Sequence, residues 1–353
     1  MPSHVSHMLH ARDTLAGSDH ADRLAPLLEE PNSRFLVLGA QGPDIFYHNQ
    51  RRRPTGISYG SLMHRRRYGS TVAAMWEHAR SRGATLGSWQ AAWVLGFASH
   101  AVLDRHTHPF INAHSGWPEP GNAESERYRS MHPFLERLID VELLRYRGLG
   151  HPAALDFYSR VSCGKEPPGE WVELMTAALS ATYRTAASDA HLEQRLRNAY
   201  LDTMGYYRFT NRVDGEYLEA ALRREDAGEI GRRWLSVVHP PEVPADLDVL
   251  NLEHAPWPHP CSSHEQSTDS FVDRFDAAVR EGVAVVNRIV DGWDRPATAG
   301  RSAIEHAVAN WNLSDGRATE RPCRKRHAVP LPLRELQDRI RESVRAGGGG
   351  RVR

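Results

Sequence analysis

Histidine is distributed unevenly along this chain, and that distribution limits the folds that suit it. Thirteen of the 20 histidines lie within the first 151 of the 353 residues. Histidine is the commonest metal ligand in proteins and a common acid or base at neutral pH. A chain with this distribution is expected to bring several imidazoles to one site. We therefore expect the chemistry of this protein in residues 1–150.

Two histidine–carboxylate pairs share a spacing of four residues, His100 with Asp104 and His132 with Glu136. Side chains four apart lie on one face of an α-helix, with Cβ atoms about 5–6 Å apart. His108 continues the first face by one turn. A single pair is also common at buried positions without a function, but two pairs with His108 favour a metal site. Facing helices of this kind hold divalent metals in bundle interiors, and imidazole with carboxylate suits zinc.

Three residues further upstream are additional candidate ligands. Asp44 follows Gly42-Pro43 in a tight turn, His64 stands at the start of a predicted helix, and His7 lies near the N-terminus. A tight loop can hold a carboxylate rigidly, although Pro-Asp is also ordinary turn chemistry.

Helical periodicity dominates the chain, and no convincing alternating strands are visible. Ser88 is a suitable N-cap for a long helix that we expect to stop before Pro109. The predicted helices cover 5–16, 21–29, 63–82, 88–108, 123–148, 169–200, 216–236 and 268–292. The predicted loops cover 39–44, 113–122 and 239–262. We therefore expect an all-α, multi-helix bundle with a metal cluster in its interior.

The same pattern suggests three parts of the chain. Residues 1–150 form the metal-binding half of a helical domain. Residues 151–295 are the helical remainder of that domain or a closely packed extension. Residues 296–353 are a C-terminal extension, whose tail from about residue 341 is expected to be disordered because it is polar and ends in glycines.

Charge and composition argue against several function classes. The chain carries 44 basic and 44 acidic residues, so it lacks the basic field that binding to nucleic acid or to an anionic membrane surface needs. No stretch approaches the roughly 18 apolar residues of a membrane helix, and no secretory signal is visible. Three distant cysteines argue against a disulfide framework and a thiolate zinc site. We expect a cytoplasmic protein.

Taken together, these residues resemble the zinc-dependent phospholipase C family, in particular bacterial members without secretion signals. The S1/P1-type single-strand nucleases share the helical fold of that family. The matching stretches are Met1–His7, Gly39–Phe46, Met63-His64, Gly96–Asp104, His108-Pro109, His132 with Glu136 and, more weakly, Leu250–His254 with Pro256-Trp257 and Ser270-Phe271.

The resemblance implies two zinc ions, with a third at partial occupancy. The first ion would be held by Asp44, His64, His100 and Asp104, and the second by His108, His132 and Glu136. The third would take His7 and share Asp104. Zinc lowers the pKa of bound water toward 7 and neutralises phosphoryl oxygens, and Asp44 could also orient the attacking water.

The implied activity is therefore hydrolysis of a phosphodiester, with a phospholipid as the favoured substrate. A single-strand nuclease or another phosphoesterase on the same fold is the alternative enzyme, although exposed aromatic side chains would be needed for base stacking. An alternative of another class is a non-catalytic all-α protein with structural zinc, which closed four-ligand sites would favour.

Overall fold

Helices make up most of the chain in the computed structural model, which describes residues 4–210, 215–228 and 234–346. Helix accounts for 64% and strand for 3%, which confirms the predicted all-α class. Met1 and Pro2 of the predicted family match, and the glycine run of the tail at 347–350, lie outside the described residues.

The helices are α1 (His4–Ala16), α2 (Ala21–Leu24), α3 (Asn32–Ala40), α4 (Ile57–Arg65), α5 (Tyr68–Ser81), α6 (Trp89–Ser115), α7 (Met131–Tyr146), α8 (Phe157–Val161), α9 (Gly169–Thr182), α10 (Arg184–Ala187), α11 (Leu192–Thr210), α12 (Gly215–Asp226), α13 (Phe271–Trp293), α14 (Ala297–Val308) and α15 (Leu333–Arg345). Turns of 3-10 helix cover Ala25–Leu27, Gly42–Phe46, Ala123–Tyr128, Pro152–Leu155 and Trp234–Ser236. Two strands, β1 (Trp257–His259) and β2 (Ser262–Ser267), form an antiparallel hairpin.

Helix α6 is the centre of the fold. It is buried along almost its whole length and packs against α1, α3, α5, α7 and α13. Ser88 caps the helix as predicted, since its Oγ accepts a hydrogen bond from the Ala91 N–H at 3.4 Å. The side chains of α6 therefore project into the interior of the molecule.

The prediction that this helix stops before Pro109 is wrong. Helix α6 continues to Ser115 with Pro109 inside it. A proline in a helix interior costs about 3 kcal/mol or more, and packing in the core offsets that cost here. A C-terminal segment also stabilises the end of this helix. The N–H groups of Val329 and Leu331 donate to the carbonyls of Ala113 and His114 at 2.8 Å.

Two predicted helices are each divided by a residue in the left-handed region. The predicted helix 63–82 is two helices, α4 and α5, and Arg67 between them has φ of 59°. The predicted helix 123–148 is a 3-10 turn followed by α7, and Ser130 between them has φ of 66°. Pro133 lies in the first turn of α7, where its missing N–H costs little.

The loop predicted at 39–44 is mostly helical. Helix α3 extends to Ala40, and a 3-10 turn begins at Gly42. Gly39 serves helix packing, because a Cβ there would lie 2.6 Å from the Trp93 carbonyl oxygen of α6. The glycine at position 39 therefore does not indicate a loop. A close helix crossing needs small residues of the same kind.

The C-terminal part differs from its prediction in two respects. Cys261 and Cys323 form a disulfide, with Cα atoms 5.9 Å apart and a sequence separation of 62. The expectation of unpaired cysteines is therefore wrong, because tertiary structure brings together residues that are distant in sequence. The tail predicted to be disordered from about 341 is helical to Arg345. The division at 150 and 295 stays a prediction.

Candidate metal centre

Five predicted ligands meet in the interior, and we call them the central group. They are His7 of α1, Asp44 of the 3-10 turn after α3, His64 of α4, and His100 and Asp104 of α6. All five are buried. The shortest distances between ligand atoms join His7 Nε2 to Asp104 Oδ1, His64 Nε2 to Asp44 Oδ1 and His100 Nε2 to Asp104 Oδ2, each at 3.2 Å. The structure thus gathers side chains from four separate segments.

The remaining three predicted ligands form a second cluster, the lateral group. His108 of α6 and His132 and Glu136 of α7 have ligand atoms within 4.8 Å of one another. His132 Nε2 lies 2.9 Å from Glu136 Oε1, and the His108 and His132 rings are 5.4 Å apart. Asp104 connects the two groups, since its Oδ2 lies 3.6 Å from His108 Nδ1.

The helical spacing places His100, Asp104 and His108 on one face of α6, as the sequence predicted. The position of the His100 imidazole depends on how closely α3 and α6 cross. A Cβ at Gly96 would lie 2.3 Å from the Leu36 carbonyl oxygen, so only glycine permits this approach. The crossing brings the Ala40 carbonyl to 3.0 Å from His100 Nδ1.

Gly42 brings the Asp44 turn against the same imidazole. Its φ is +54°, and a Cβ there would lie 2.4 Å from His100 Cγ. Both the backbone conformation and the contact therefore require glycine. The next residues form the turn that carries Asp44 toward the His64 imidazole.

Three imidazoles share one orientation. His64, His100 and His108 have Nδ1 within hydrogen-bond distance of a backbone carbonyl, at 2.8 Å from Gly60, 3.0 Å from Ala40 and 2.5 Å from Leu313 respectively. Because a carbonyl can only accept, each Nδ1 carries a proton, which leaves Nε2 as the nitrogen that can bind a metal. Metal-bound histidines show this arrangement, which fixes the ring orientation.

The protonation states of the central group also suit a metal. Burial would raise the pKa of Asp104, but nearby His108 and His100 outweigh burial and hold that pKa well below its usual value. Burial likewise opposes ionisation of Asp44, but the His64 imidazole, whose Nε2 lies 3.2 Å from Asp44 Oδ1, and the charge of His100 lower its pKa. These carboxylates are ionised at neutral pH, as metal ligands must be.

The histidine ligands respond to the same surroundings in different ways. Burial lowers the pKa of His7, and His100 lowers it further. Burial also lowers the pKa of His132 despite Glu136. For His100 the carboxylates of Asp104 and Asp44 outweigh burial and raise the pKa. Of these three imidazoles, only His100 has neighbouring carboxylates that outweigh its burial.

Buried atoms without partners show that zinc would fit these groups. Both oxygens of Asp44 and of Glu136, His100 Nε2 and Asp104 Oδ2 are buried without a hydrogen bond of good geometry. Such atoms are costly unless a cation satisfies them. Ligands around a tetrahedral zinc with bonds of about 2.1 Å lie roughly 3.4 Å apart. The observed 3.2 and 3.7 Å from His64 Nε2 to Asp44 and Asp104 agree with that spacing.

A cavity of about 520 Å³ opens onto both groups. His64, His108 and His132 line its floor, and Tyr47 and Trp117 are among its walls. This volume is in the usual range for a small-molecule site, roughly 300–1,000 Å³. These three histidines are therefore reachable from solvent, whereas a closed structural site would expose none of its ligands.

Sequence reasoning missed two contributors to this cavity, both in the C-terminal part of the chain. The carbonyl of Leu313 accepts from His108, and Lys325 lines the wall. No local motif signals either residue, because the first acts through its backbone and the second is an isolated lysine. His106, by contrast, points away and pairs with Glu281 at 2.7 Å.

The fold and the site together define an all-α protein with a candidate metal centre, in which histidines and carboxylates from several helices lie beside a solvent-accessible pocket. Residues 3–189 match the family described as zinc dependent phospholipase C. That match covers just over half of the chain, and the protein belongs to the zinc-dependent phospholipase C family. Comparison with curated proteins and with solved structures found no significant match.

Proposed function

We propose that this protein is a zinc-dependent phosphodiester hydrolase of the phospholipase C type. The observation that carries the proposal is the set of buried, unsatisfied carboxylate oxygens and imidazole nitrogens beneath an open cavity. Family membership supports zinc as the metal and a phospholipid as the substrate class. A closed structural site would not need a cavity that reaches its histidines.

Each ligand group is assigned to one ion. Zinc would be held by Asp44, His64, His100 and Asp104 in the central group, and by His108, His132 and Glu136 in the lateral group. His7, whose Nε2 lies 3.2 Å from Asp104 Oδ1, would contribute to a third ion at partial occupancy.

The chemistry follows from the residues. Zinc, when bound, supplies Lewis acidity toward water and toward the phosphoryl oxygens. Asp44 accepts a hydrogen bond from the attacking water and orients it. The water oxygen bonds to phosphorus, the ester P–O bond breaks, and the leaving alcohol takes up a proton. The Nδ1–H bonds from His64, His100 and His108 to backbone carbonyls hold their Nε2 atoms toward the reaction centre.

A single-strand nuclease is the second candidate, and one observation favours it. Tyr47, Trp117 and Tyr128 line the cavity, and bases stack on aromatic rings of this kind. The Trp117 ring is, however, already covered by the Lys325 ammonium, 5.1 Å from its centroid. A lipid headgroup ester therefore stays the preferred substrate.

Elemental analysis and one substrate panel test the proposal. We expect close to two zinc ions per chain, with a third at partial occupancy. The zinc-loaded protein should hydrolyse bis(p-nitrophenyl) phosphate and short-chain phospholipids faster than single-stranded DNA, and His100→Ala should abolish turnover. Cleavage of DNA alone would establish the nuclease. Fully metallated protein that hydrolyses none of these esters would establish a structural metal.

Two further properties concern where the protein works in the cell. Among the described residues no helix is long and apolar enough to cross a bilayer. The cytoplasmic location predicted from the sequence stays a prediction, to be checked by cell fractionation. Persistence of the Cys261–Cys323 disulfide in isolated protein would indicate an oxidising compartment instead.

A further inference from the structure

The C-terminal segment 309–331, here called the strap, crosses α6 beside the candidate metal centre. Arg105 of α6 anchors its start by donating to the carbonyls of Val308, Ala309 and Trp311 at 2.6, 3.2 and 3.3 Å. The Leu313 N–H donates to the His64 carbonyl at 2.8 Å. The strap thus bonds to two helices that carry predicted ligands, although it lies beyond the part of the chain that matches the family.

Further along, the strap is connected to the β-hairpin. The Cys261–Cys323 disulfide joins the two, and the Arg326 N–H donates to the Pro260 carbonyl at 2.7 Å. The Cys323 N–H also donates to Asp315 Oδ2 at 2.6 Å. These bonds lie on both sides of Lys325 in sequence, so the backbone that carries Lys325 is held in place.

Lys325 extends from the strap into the wall of the cavity. Its Nζ donates to Asn112 Oδ1 at 3.0 Å, and the Asn112 amide is itself oriented by a bond from its Nδ2 to the Ser314 carbonyl at 3.0 Å. Asn112 lies one helical turn after the predicted ligand His108. The ammonium group is therefore held beside the lateral group.

The charge of Lys325 is not balanced by an acidic partner. Within the described residues no carboxylate lies within ion-pair distance of its Nζ. Burial lowers its pKa. An ammonium carries three donors, and the bond to Asn112 uses one. Two donors are left for a ligand in the cavity.

The composition of the chain makes this lysine unusual. Lys165 and Lys325 are the only lysines in the sequence, against 42 arginines. Lys165 is exposed on the surface, whereas Lys325 is partly buried at the candidate site. A basic surface residue in this chain is almost always arginine, so a lysine in the cavity wall indicates a requirement for a compact point charge.

The cavity wall is unsuited to a cationic headgroup. Arg65 and Lys325 line it, and none of its lining residues is acidic. A quaternary ammonium group is usually bound by aromatic faces, but the Trp117 face is next to the Lys325 ammonium. Like charges in a confined pocket repel each other, so choline would be disfavoured here.

We propose that Lys325 is a specificity-determining residue that binds a second anionic group, such as a phosphate monoester, on the headgroup that stays attached to the phosphate when the phosphodiester is cleaved. This inference rests on the proposed hydrolase function. The preferred substrate is then a phospholipid whose headgroup is anionic, and a choline ester is a poor substrate.

The test uses the zinc-loaded full-length protein and monomeric dihexanoyl phospholipids, so that the charge of a lipid surface does not contribute. The headgroups are inositol 4-phosphate, glycerol and choline. We expect kcat/KM to fall in that order. Lys325→Met should lower the ratio of the inositol phosphate ester to the choline ester by about ten- to a hundredfold, the range for a hydrogen bond to a charged group. Lys325→Arg keeps the charge but not the compact ammonium group, so it should retain only part of the ratio.

A binding measurement does not depend on turnover. Calorimetry should show inositol 1,4-bisphosphate binding more tightly than phosphocholine, with the difference lost in Lys325→Met. Lys165→Met is the matched control and should keep both the wild-type ratio and the wild-type binding. Zinc content and thermal unfolding of each variant establish that the metal site and the fold are intact.

The outcomes separate the two proposals. Turnover of all three lipids with an unchanged ratio in Lys325→Met would overturn the assignment of Lys325 and leave the hydrolase standing. Absence of turnover, with bisphosphate binding that still depends on Lys325, would support the anion site and refute the hydrolase. A wild-type preference for the choline ester would also overturn the assignment.

Discussion

Two buried clusters in this protein have nearly the same ingredients and different chemistry. One is the central group. The other, which we call the anchor cluster, consists of His4, Asp140 and His239, all buried and with ligand atoms within 4.8 Å of one another. Judged by residue type and spacing alone, both could hold a metal ion.

The partners of the carboxylates distinguish the two clusters. Asp140 accepts hydrogen bonds from the Ser6 N–H at 2.9 Å, from Ser6 Oγ at 3.0 Å and from His239 Nε2 at 3.0 Å. The Arg137 guanidinium lies 3.5 Å away and also contacts His4. Both Asp44 oxygens, by contrast, lack a hydrogen bond of good geometry. A buried carboxylate already satisfied by donors and a cation does not need a metal.

The anchor cluster therefore serves the central group mechanically. By holding the first turn of α1, Asp140 fixes the helix that presents His7 one position later. Proximity of histidine and carboxylate is thus weak evidence for a metal site, and unsatisfied carboxylate oxygens are the stronger evidence.

The largest expected effect is a loss of zinc from the central group. Asp104→Asn removes a charge that is shared by His7, His64 and His100, so zinc affinity should fall by more than the roughly 10–100-fold seen for residues that only support ligands. His106→Ala, on the outer face of α6, is the control and should retain its zinc. Elemental analysis after dialysis measures both. Equal zinc loss in the two variants would show that the ligand face of α6 is assigned wrongly.

The next effect tests the anchor side. Asp140→Asn removes one partner of a buried ion pair, which should lower the free energy of unfolding by about 3–5 kcal/mol. The variant should retain the zinc of the central and lateral groups. Urea unfolding and elemental analysis of the same preparation check this. Loss of about one zinc per chain without destabilisation would mean that the anchor cluster is itself a metal site.

A smaller effect is expected from a change in how the His100 imidazole and the Asp44 turn are positioned in the central group. Gly42→Ala places a Cβ against the His100 ring at a positive φ, so the imidazole or the Asp44 turn must shift. We expect a loss of about 1–3 kcal/mol in stability and weaker zinc binding. Gly83→Ala is the matched control, because φ there is also positive, at +80°, but nothing lies within 4 Å. Equal zinc affinity in the two variants would contradict the argument.

The smallest effect is a pH dependence of the anchor cluster. Burial lowers the pKa of His239 to about 4, whereas an unfolded histidine titrates near 6.5. The unfolded state therefore binds more protons between these values. The corresponding stability is complete above about pH 6.5 and is lost as the pH falls toward 4.

His239→Gln should flatten this dependence by up to about 1.4 kcal/mol per pH unit, the slope for one proton. Urea unfolding of metal-free protein at several pH values between 7 and 4.5 measures it, and His106→Ala is the surface control. An unchanged slope would show that His239 is protonated in the folded protein.

Much of the fold could be predicted because the signals are local. The Ser88 cap, the four-residue spacing of His100 and Asp104, and the amphipathic helix 268–292, observed as α13, follow from helix geometry. Predictions failed where tertiary packing overrides a local rule, as at Pro109, which lies inside α6. They also failed where one pattern has two meanings, as with the glycines before Asp44.

The sequence by itself determined which side chains could act together on α6 and on α7, because the period of an α-helix fixes which residues share a face. Only the tertiary structure decided that His7, Asp44 and His64 join them, that Cys261 meets Cys323, and that the strap brings Lys325 to the cavity. Those contacts join residues tens to hundreds of positions apart. Their formation depends on how helices cross and on where backbone carbonyls are left free, and neither is encoded by local spacing.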